Sequence, residues 1–358
     1  TFQFANFVVY FVAFGYFAEN YLEPHVVSIA LEALSHESVN RGQEGLDKLE
    51  DMIDRLGRKE NADLEKAITK YGDVSVDLNG ADQTINKLKT MATKGGQPDS
   101  VQAWLLVLRV DIIEKEMEKG AAATAQIRTA FSELKSFDKK VLAPYVLAKI
   151  GDFLRNADQS PQAVPWFEEI LGRGGIDSVD YAKNALAKIY FRGANQELHK
   201  KALDNVKWVL ANSGNSKLTE ESAYERALHY SRTADWEEAE TSWFEYVSNK
   251  SWRSHSPEAW YLLGQARDNR GRTDKALSAY LQNYYKYPQY VKYSIPAMRR
   301  SAEIQKANNK GKEAYTLARL GGLRFEKKLR SDPRFKSDFA QLRKIYEELA
   351  PVHAEETH

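Results

Sequence analysis

Between Pro257 and Pro288 the apolar and small residues fall at helical spacing in two runs. Trp260, Leu263 and Gly264 share one face of a first helix, Ala276, Tyr280 and Asn283 recur along a second, and Gly271 marks the turn between them. Gly264 and Ala276 are twelve residues apart across that turn, so two helices can approach closely there, with Leu263 and Tyr280 filling the space on either side. A single hairpin of this size buries too little apolar surface to stand alone and needs neighbours stacked on it.

The same twelve-residue small-to-small spacing returns at Gly151 and Ala163, at Ala227 and Ala239, and at Ala302 and Ala314. Large partners accompany it: Leu147, Ile150 and Phe167 in the first case, Tyr230 and Trp243 in the second. Two further units look stretched. One begins with Trp104, Val107 and Leu108 but carries a long turn rich in Gly120, Ala121, Ala122 and Ala123; in the other, Ala187 and Tyr190 fit a first helix while Ala202 arrives about three residues late. Upstream, Val39–Leu56, Asn61–Tyr71 and Ala81–Met91 are amphipathic and helix-like, with Gly72, Gly80, Gly95, Gly96 and Pro98 expected as turns. The only strand candidate is the short run Val74–Leu78. Downstream, Lys312–Leu329 and Phe335–Leu349 are expected as closing helices, broken at Ser331, Asp332 and Pro333.

The Pro257–Pro288 stretch resembles the tetratricopeptide repeat (TPR) family, whose 34-residue motif runs W-x2-L-G-x2-Y, then Ala, an aromatic, a small residue and Pro. Trp260, Leu263, Gly264, Ala276, Tyr280 and Pro288 fall on that pattern. Arg267 stands where the family favours Tyr, and Asn283 where it favours Ala. The resemblance implies an all-α fold, a right-handed superhelical α-solenoid of degenerate TPR-like hairpins whose first helices line a concave face. The expected organisation is an apolar N-terminal helix over 1–22, an irregular helical region over 26–98, the solenoid over 99–330 and a closing helix over 334–350.

From Thr1 to Ala18 there is no charged residue, and the run is crowded with Phe, Tyr and Val up to Glu19. Two readings stand for it: a membrane anchor slightly short of a comfortable span, or a helix that caps the solenoid. No small-residue cleavage pattern precedes Glu19, which argues against a cleaved signal peptide. The anchor reading resembles bacterial single-anchor TPR proteins of the cell envelope and places the chain at the inner membrane or in the periplasm; a cytoplasmic location is the alternative.

Composition narrows the chemistry. The 358 residues carry a formal charge of +1, which argues against a nucleic-acid partner, and there is no cysteine, so disulfides, thiolate metal sites and a cysteine nucleophile are excluded. The seven histidines, His25, His36, His199, His229, His255, His353 and His358, are scattered without metal-ligand spacing, and neither a P-loop nor a dinucleotide-binding glycine motif occurs. Glu237, Glu238 and Glu240 are expected to face the exposed amides at a helix start. Catalytic residues, metal and cofactor are therefore all expected to be none.

Shape supplies the functional expectation: a non-catalytic scaffold or adaptor that holds a protein or peptide, with a membrane protein complex or a second copy as possible partners. The family's groove positions map to Ala148, Asp152, Arg155 and Asn156 in one repeat, to Tyr224, Leu228 and Arg232 in another, and to Tyr261, Gln265, Asp268 and Asn269 in the best one. Arg155 and Asn156 supply only fragments of the family's carboxylate-binding group, because the matching lysines are missing. Two alternatives stay open. A carbohydrate-binding helical domain would use the aromatics of Trp243–Pro257 and of the tyrosine-rich stretch from Tyr280 to Tyr293; a solenoid-scaffold enzyme would need ionisable groups converging in a cleft.

Overall fold

The computed structural model describes residues 43–57, 64–116, 121–173 and 176–353. Among them are sixteen α-helices, two short 3-10 turns and no strand. The apolar run 1–18, His25, His36 and Gly120 lie outside the described residues, as do the closing residues 354–358.

The helices fall into two compact units that divide at Gly174 and Gly175. The first holds α1 (Gln43–Gly57), α2 (Leu64–Asn79), α3 (Ala81–Ala92), α4 (Asp99–Glu116), α5 (Ala121–Leu134), α6 (Pro144–Asn156) and α7 (Ser160–Arg173). The second holds α8 (Ile176–Arg192), α9 (Gln196–Asn212), α10 (Ser216–Arg232), α11 (Trp236–Ser248), α12 (Ser256–Asn269), α13 (Thr273–Lys286), α14 (Val291–Ala307), α15 (Gly311–Ser331) and α16 (Lys336–His353). Within each unit, every helix packs on its neighbour in sequence, and first helices also touch first helices: α2, α4 and α6 in one row, and α8, α10, α12, α14 and α16 in another. This is TPR-like stacking of helical hairpins.

The small residues do what their spacing predicts, with one refinement. The buried partner over each glycine is the large residue four positions after the second helix's alanine: a Cβ at Gly264 would lie 2.5 Å from Tyr280 Cδ1, and one at Gly151 would lie 2.6 Å from Phe167 Cζ. Four hairpin turns share one geometry. Asp158, Ala234, Gly271 and Asn309 have φ between 57° and 72°, and the amide after each bonds back five residues, as in Arg272 N to Arg267 O at 2.9 Å.

Several expectations change. Val74–Leu78 is the end of α2, not a strand, because the buried stripe Leu64, Ala67, Ile68, Tyr71, Val74 and Ser75 has helical period. Gly72 is no turn either: it sits inside α2, where a Cβ would meet Leu108 Cδ2 of α4 at 2.7 Å. Gly80 and Gly96, by contrast, do turn the chain with φ near +80° and +86°. Ala121–Ala123 already belong to α5. The late Ala202 reflects a longer α9, in which six residues precede it where three precede Ala276 in α13. Pro333 opens a 3-10 turn, Pro333–Phe335, capped by Asp332 ahead of the last helix.

The aromatic-rich linker is mostly interior. Trp243, Tyr246 and Trp252 are buried and Phe244 is exposed, while of the tyrosine-rich stretch Tyr280 and Tyr284 are buried and Tyr285 and Tyr290 exposed. Glu240 also departs from its expected role: it is buried and receives Arg267, Arg270 and Arg272, which fix the next hairpin's turn against α11.

Candidate functional site

In the second unit, first helices are tied one to the next by side chains on the face they share. Asn184 and Lys188 of α8 donate to Glu221 of α10 at 3.0 and 2.6 Å. Tyr224 of α10 donates to Glu258 of α12 at 2.9 Å, and Arg300 of α14 grips Asp268 of α12 at 2.5 and 2.9 Å. Arg299 of α14 then reaches Asp338 of α16 at 2.7 Å. These pairs space the row of first helices and, being partly buried and bonded, are stronger than exposed ion pairs. Burial and the Glu258 carboxylate push the Tyr224 hydroxyl pKa well up, so it stays a donor.

The expected groove residues of this unit lie on that row. Tyr261 is half-buried against Tyr280 and Tyr293, and Gln265 donates to its hydroxyl at 2.9 Å. Asn269 is exposed and donates to the Gln265 carbonyl, whereas Asp268 is occupied by Arg300. Tyr224 stacks on His255 at 3.9 Å, Leu228 packs against the cluster around Trp243, and Arg232 is exposed at the end of α10. Much of this face's polarity is thus spent within the fold.

In the first unit the row α2, α4, α6 encloses a groove of about 720 Å³. Its placement begins with Pro144, which starts α6, and with Arg173, whose guanidinium holds the Lys139 carbonyl of the 3-10 turn Lys139–Val141 and the Leu142 carbonyl just after it. Tyr145 is thereby set against Trp104 of α4, the rings stacked at 5.2 Å and 6°. Its hydroxyl donates to Asp111 at 3.0 Å, and Lys149 pairs with the same carboxylate. Burial and the Asp111 charge raise the Tyr145 pKa; burial would lower that of Lys149, but its bonds to Asp111 leave it raised.

Around this shelf stand Glu65, Asp73 and Asp77 of α2 and Asp111 and Glu116 of α4, five carboxylates against the lining lysines Lys70 and Lys115. Lys115 pairs with Glu116 at 3.1 Å, and its pKa is raised by that bond. Asp73 and Asp77, one turn apart on α2, have no hydrogen-bond or ion-pair partner among the described residues. Burial raises the Glu65 pKa against the attraction of Lys66. Of the expected groove residues in this unit, Ala148 is half-buried, Asp152 and Arg155 pair with each other along α6 at 2.8 Å, and Asn156 is exposed.

Sequence reasoning missed the acidic groove because residues 26–98 had no register. One signal was present: Asp111 and Tyr145 are 34 residues apart, as are Tyr224 and Glu258, a polar pair one repeat apart that marks neighbouring first helices.

No family model and no curated protein matches the chain. Among solved structures it is similar to the crystal structure of MamA, with 19% identity over 51% of this chain and 97% of that one and a TM-score of 0.40. It is similar also to the APC/C hetero-tetramer Cut9-Hcn1, with 10% identity over 90% of this chain and 59% of that one, again with a TM-score of 0.40. The TPR domain of P58(IPK) aligns at 11% identity over 91% and 98% with a TM-score of 0.29.

Proposed function

We propose that the chain is a non-catalytic scaffold that holds a segment of another protein against its first-helix faces, as part of a membrane-associated envelope assembly. The observation that carries the reading is the row of first helices in each unit, with polar and aromatic side chains on a shared face and a groove of about 720 Å³ in the first unit. That groove has the volume of a small-molecule cleft but a charged lining, whereas small-molecule sites are mostly apolar; a polar peptide suits it better. In the second unit Tyr261, Gln265 and Asn269 offer the side chains a peptide would meet, with Tyr224 and Arg232 beside them.

The envelope placement rests on the apolar run 1–18 alone. Among the described residues no helix is long and apolar enough to cross a membrane. Affinity isolation from intact cells, with residues 1–18 present and deleted, tests both parts. The reading expects the same protein partner from both chains and loss of membrane fractionation on deletion. Recovery of no protein partner from either chain contradicts the scaffold, and unchanged fractionation contradicts the anchor.

A further inference from the structure

The groove of the first unit carries more carboxylates than its own lysines neutralise. Lys149 is used by Asp111 and Lys115 by Glu116, and Glu65 feels the charge of its neighbour Lys66, which leaves Asp73 and Asp77 with no ion pair among the described residues. Asp73 and Asp77 repel each other one turn apart on α2, an arrangement that disfavours a helix and that a bound cation would relieve. Lys115 is close enough for its charge to be felt by both, yet forms its bond elsewhere.

An aromatic shelf accompanies the charge. Tyr145 is 41% exposed, braced from behind by the buried Trp104, and already carries the Lys149 ammonium over its ring at 5.7 Å. A flat ring lining the same groove as unpaired carboxylates is a setting in which a guanidinium gains twice, by stacking on the ring and by paired hydrogen bonds to the acids.

Building on the scaffold reading, we propose that the groove between α2, α4 and α6 binds a cationic, arginine-bearing segment of a partner protein, with Asp73 and Asp77 pairing its guanidinium groups and Tyr145 stacking on one of them. A bound metal ion is a poorer occupant: among the described residues no cluster of three or more ligating side chains is drawn together, and the free carboxylates flank an open groove. A neutral or acidic peptide would leave Asp73 and Asp77 as they are.

The test is fluorescence anisotropy of the full chain with a labelled peptide of alternating arginine and serine, beside its glutamate counterpart. The arginine peptide should bind, the glutamate peptide should not, and affinity should fall as salt is raised. The double variant Asp73→Asn with Asp77→Asn should weaken binding at least about tenfold, and Tyr145→Ala should weaken it about threefold or more. The pair Glu326→Gln with Glu347→Gln makes the same change in net charge on exposed acids of the second unit and should leave binding unchanged. Equal loss in both double variants would reduce the effect to bulk charge and overturn the proposal, as would binding that survives the Asp73 and Asp77 changes or full displacement of the peptide by calcium alone. Scaffolding would survive any of these results if the native partner were still recovered, so the two failures separate.

Discussion

The ring of Tyr280 covers Gly264 so closely that a Cβ there would lie 2.5 Å from Cδ1, and the ring is itself 2% exposed with no room to swing away. Gly264→Ala should therefore destabilise the protein by about 1–3 kcal/mol, since overpacking outweighs the ~1 kcal/mol that alanine gains in a helix. Gly151→Ala, under Phe167, should behave alike. Gly172, in α7 with nothing within 4 Å of its Cβ position, gives the opposite sign: Gly172→Ala should stabilise by up to about 1 kcal/mol. Urea denaturation of the three variants checks the pattern, and a stabilising Gly264→Ala would show that helix contact is not tight there.

Asn283 stands where the TPR pattern has alanine and is fully buried, donating to the Pro257 carbonyl and accepting from Ser294 Oγ at 3.1 Å. Changing it to that pattern's alanine should therefore harm this protein. Asn283→Ala is expected to cost about 2 kcal/mol by leaving buried polar groups unpaired. A neutral result in thermal or urea unfolding would mean that water replaces the amide.

Arg267 and Asn283 show how much of the fold is legible in the sequence. The hairpins, their small contact residues and their order could be read from spacing, because each depends on residues near in sequence. Arg267 and Asn283 depart from the motif because Glu240 and Ser294 lie on neighbouring hairpins and Pro257 at the far end of Asn283's own, and no local period announces these partners. The acidic groove is hidden in the sequence for the same reason: Asp73 gains its meaning from α4 and α6, while locally Gly72 suggests a turn and Val74–Leu78 a strand, which break the pattern of α2.

Ala234 sits at φ 57° in the turn between α10 and α11, where Gly271 serves the equivalent place between α12 and α13. An alanine held left-handed is strained by roughly 1 kcal/mol. Ala234→Gly should raise stability by up to about 0.5 kcal/mol, the net of that relief and the greater flexibility of the unfolded chain. A calorimetric melting temperature below the wild type's would count against the shared turn geometry.

Glu220 is buried, which pushes its pKa up, but Tyr246 donating at 2.6 Å and the Ser254 amide and hydroxyl at 2.5 and 3.0 Å outweigh this and hold it below the ordinary 4.5. The ionised carboxylate's bonds thus contribute fully above that value and fade as pH falls through the lowered one. Glu220→Gln, which mimics the protonated acid, should cost about 1.5–3 kcal/mol near neutrality and less in acid. Denaturation series on both proteins across pH measure the gap; a gap that widens toward acid would reverse the assignment.

The account's central claim, that a partner lies along the first-helix faces, is tested most directly by site-specific photo-crosslinking in cells. A benzophenone amino acid would replace Tyr145 on α6 or Asn269 on α12, and Phe244 on α11 or Tyr285 on α13 as exposed second-helix controls. The account predicts a crosslinked protein partner from the first-helix positions and none from the controls. Crosslinks confined to Phe244 and Tyr285 would contradict it.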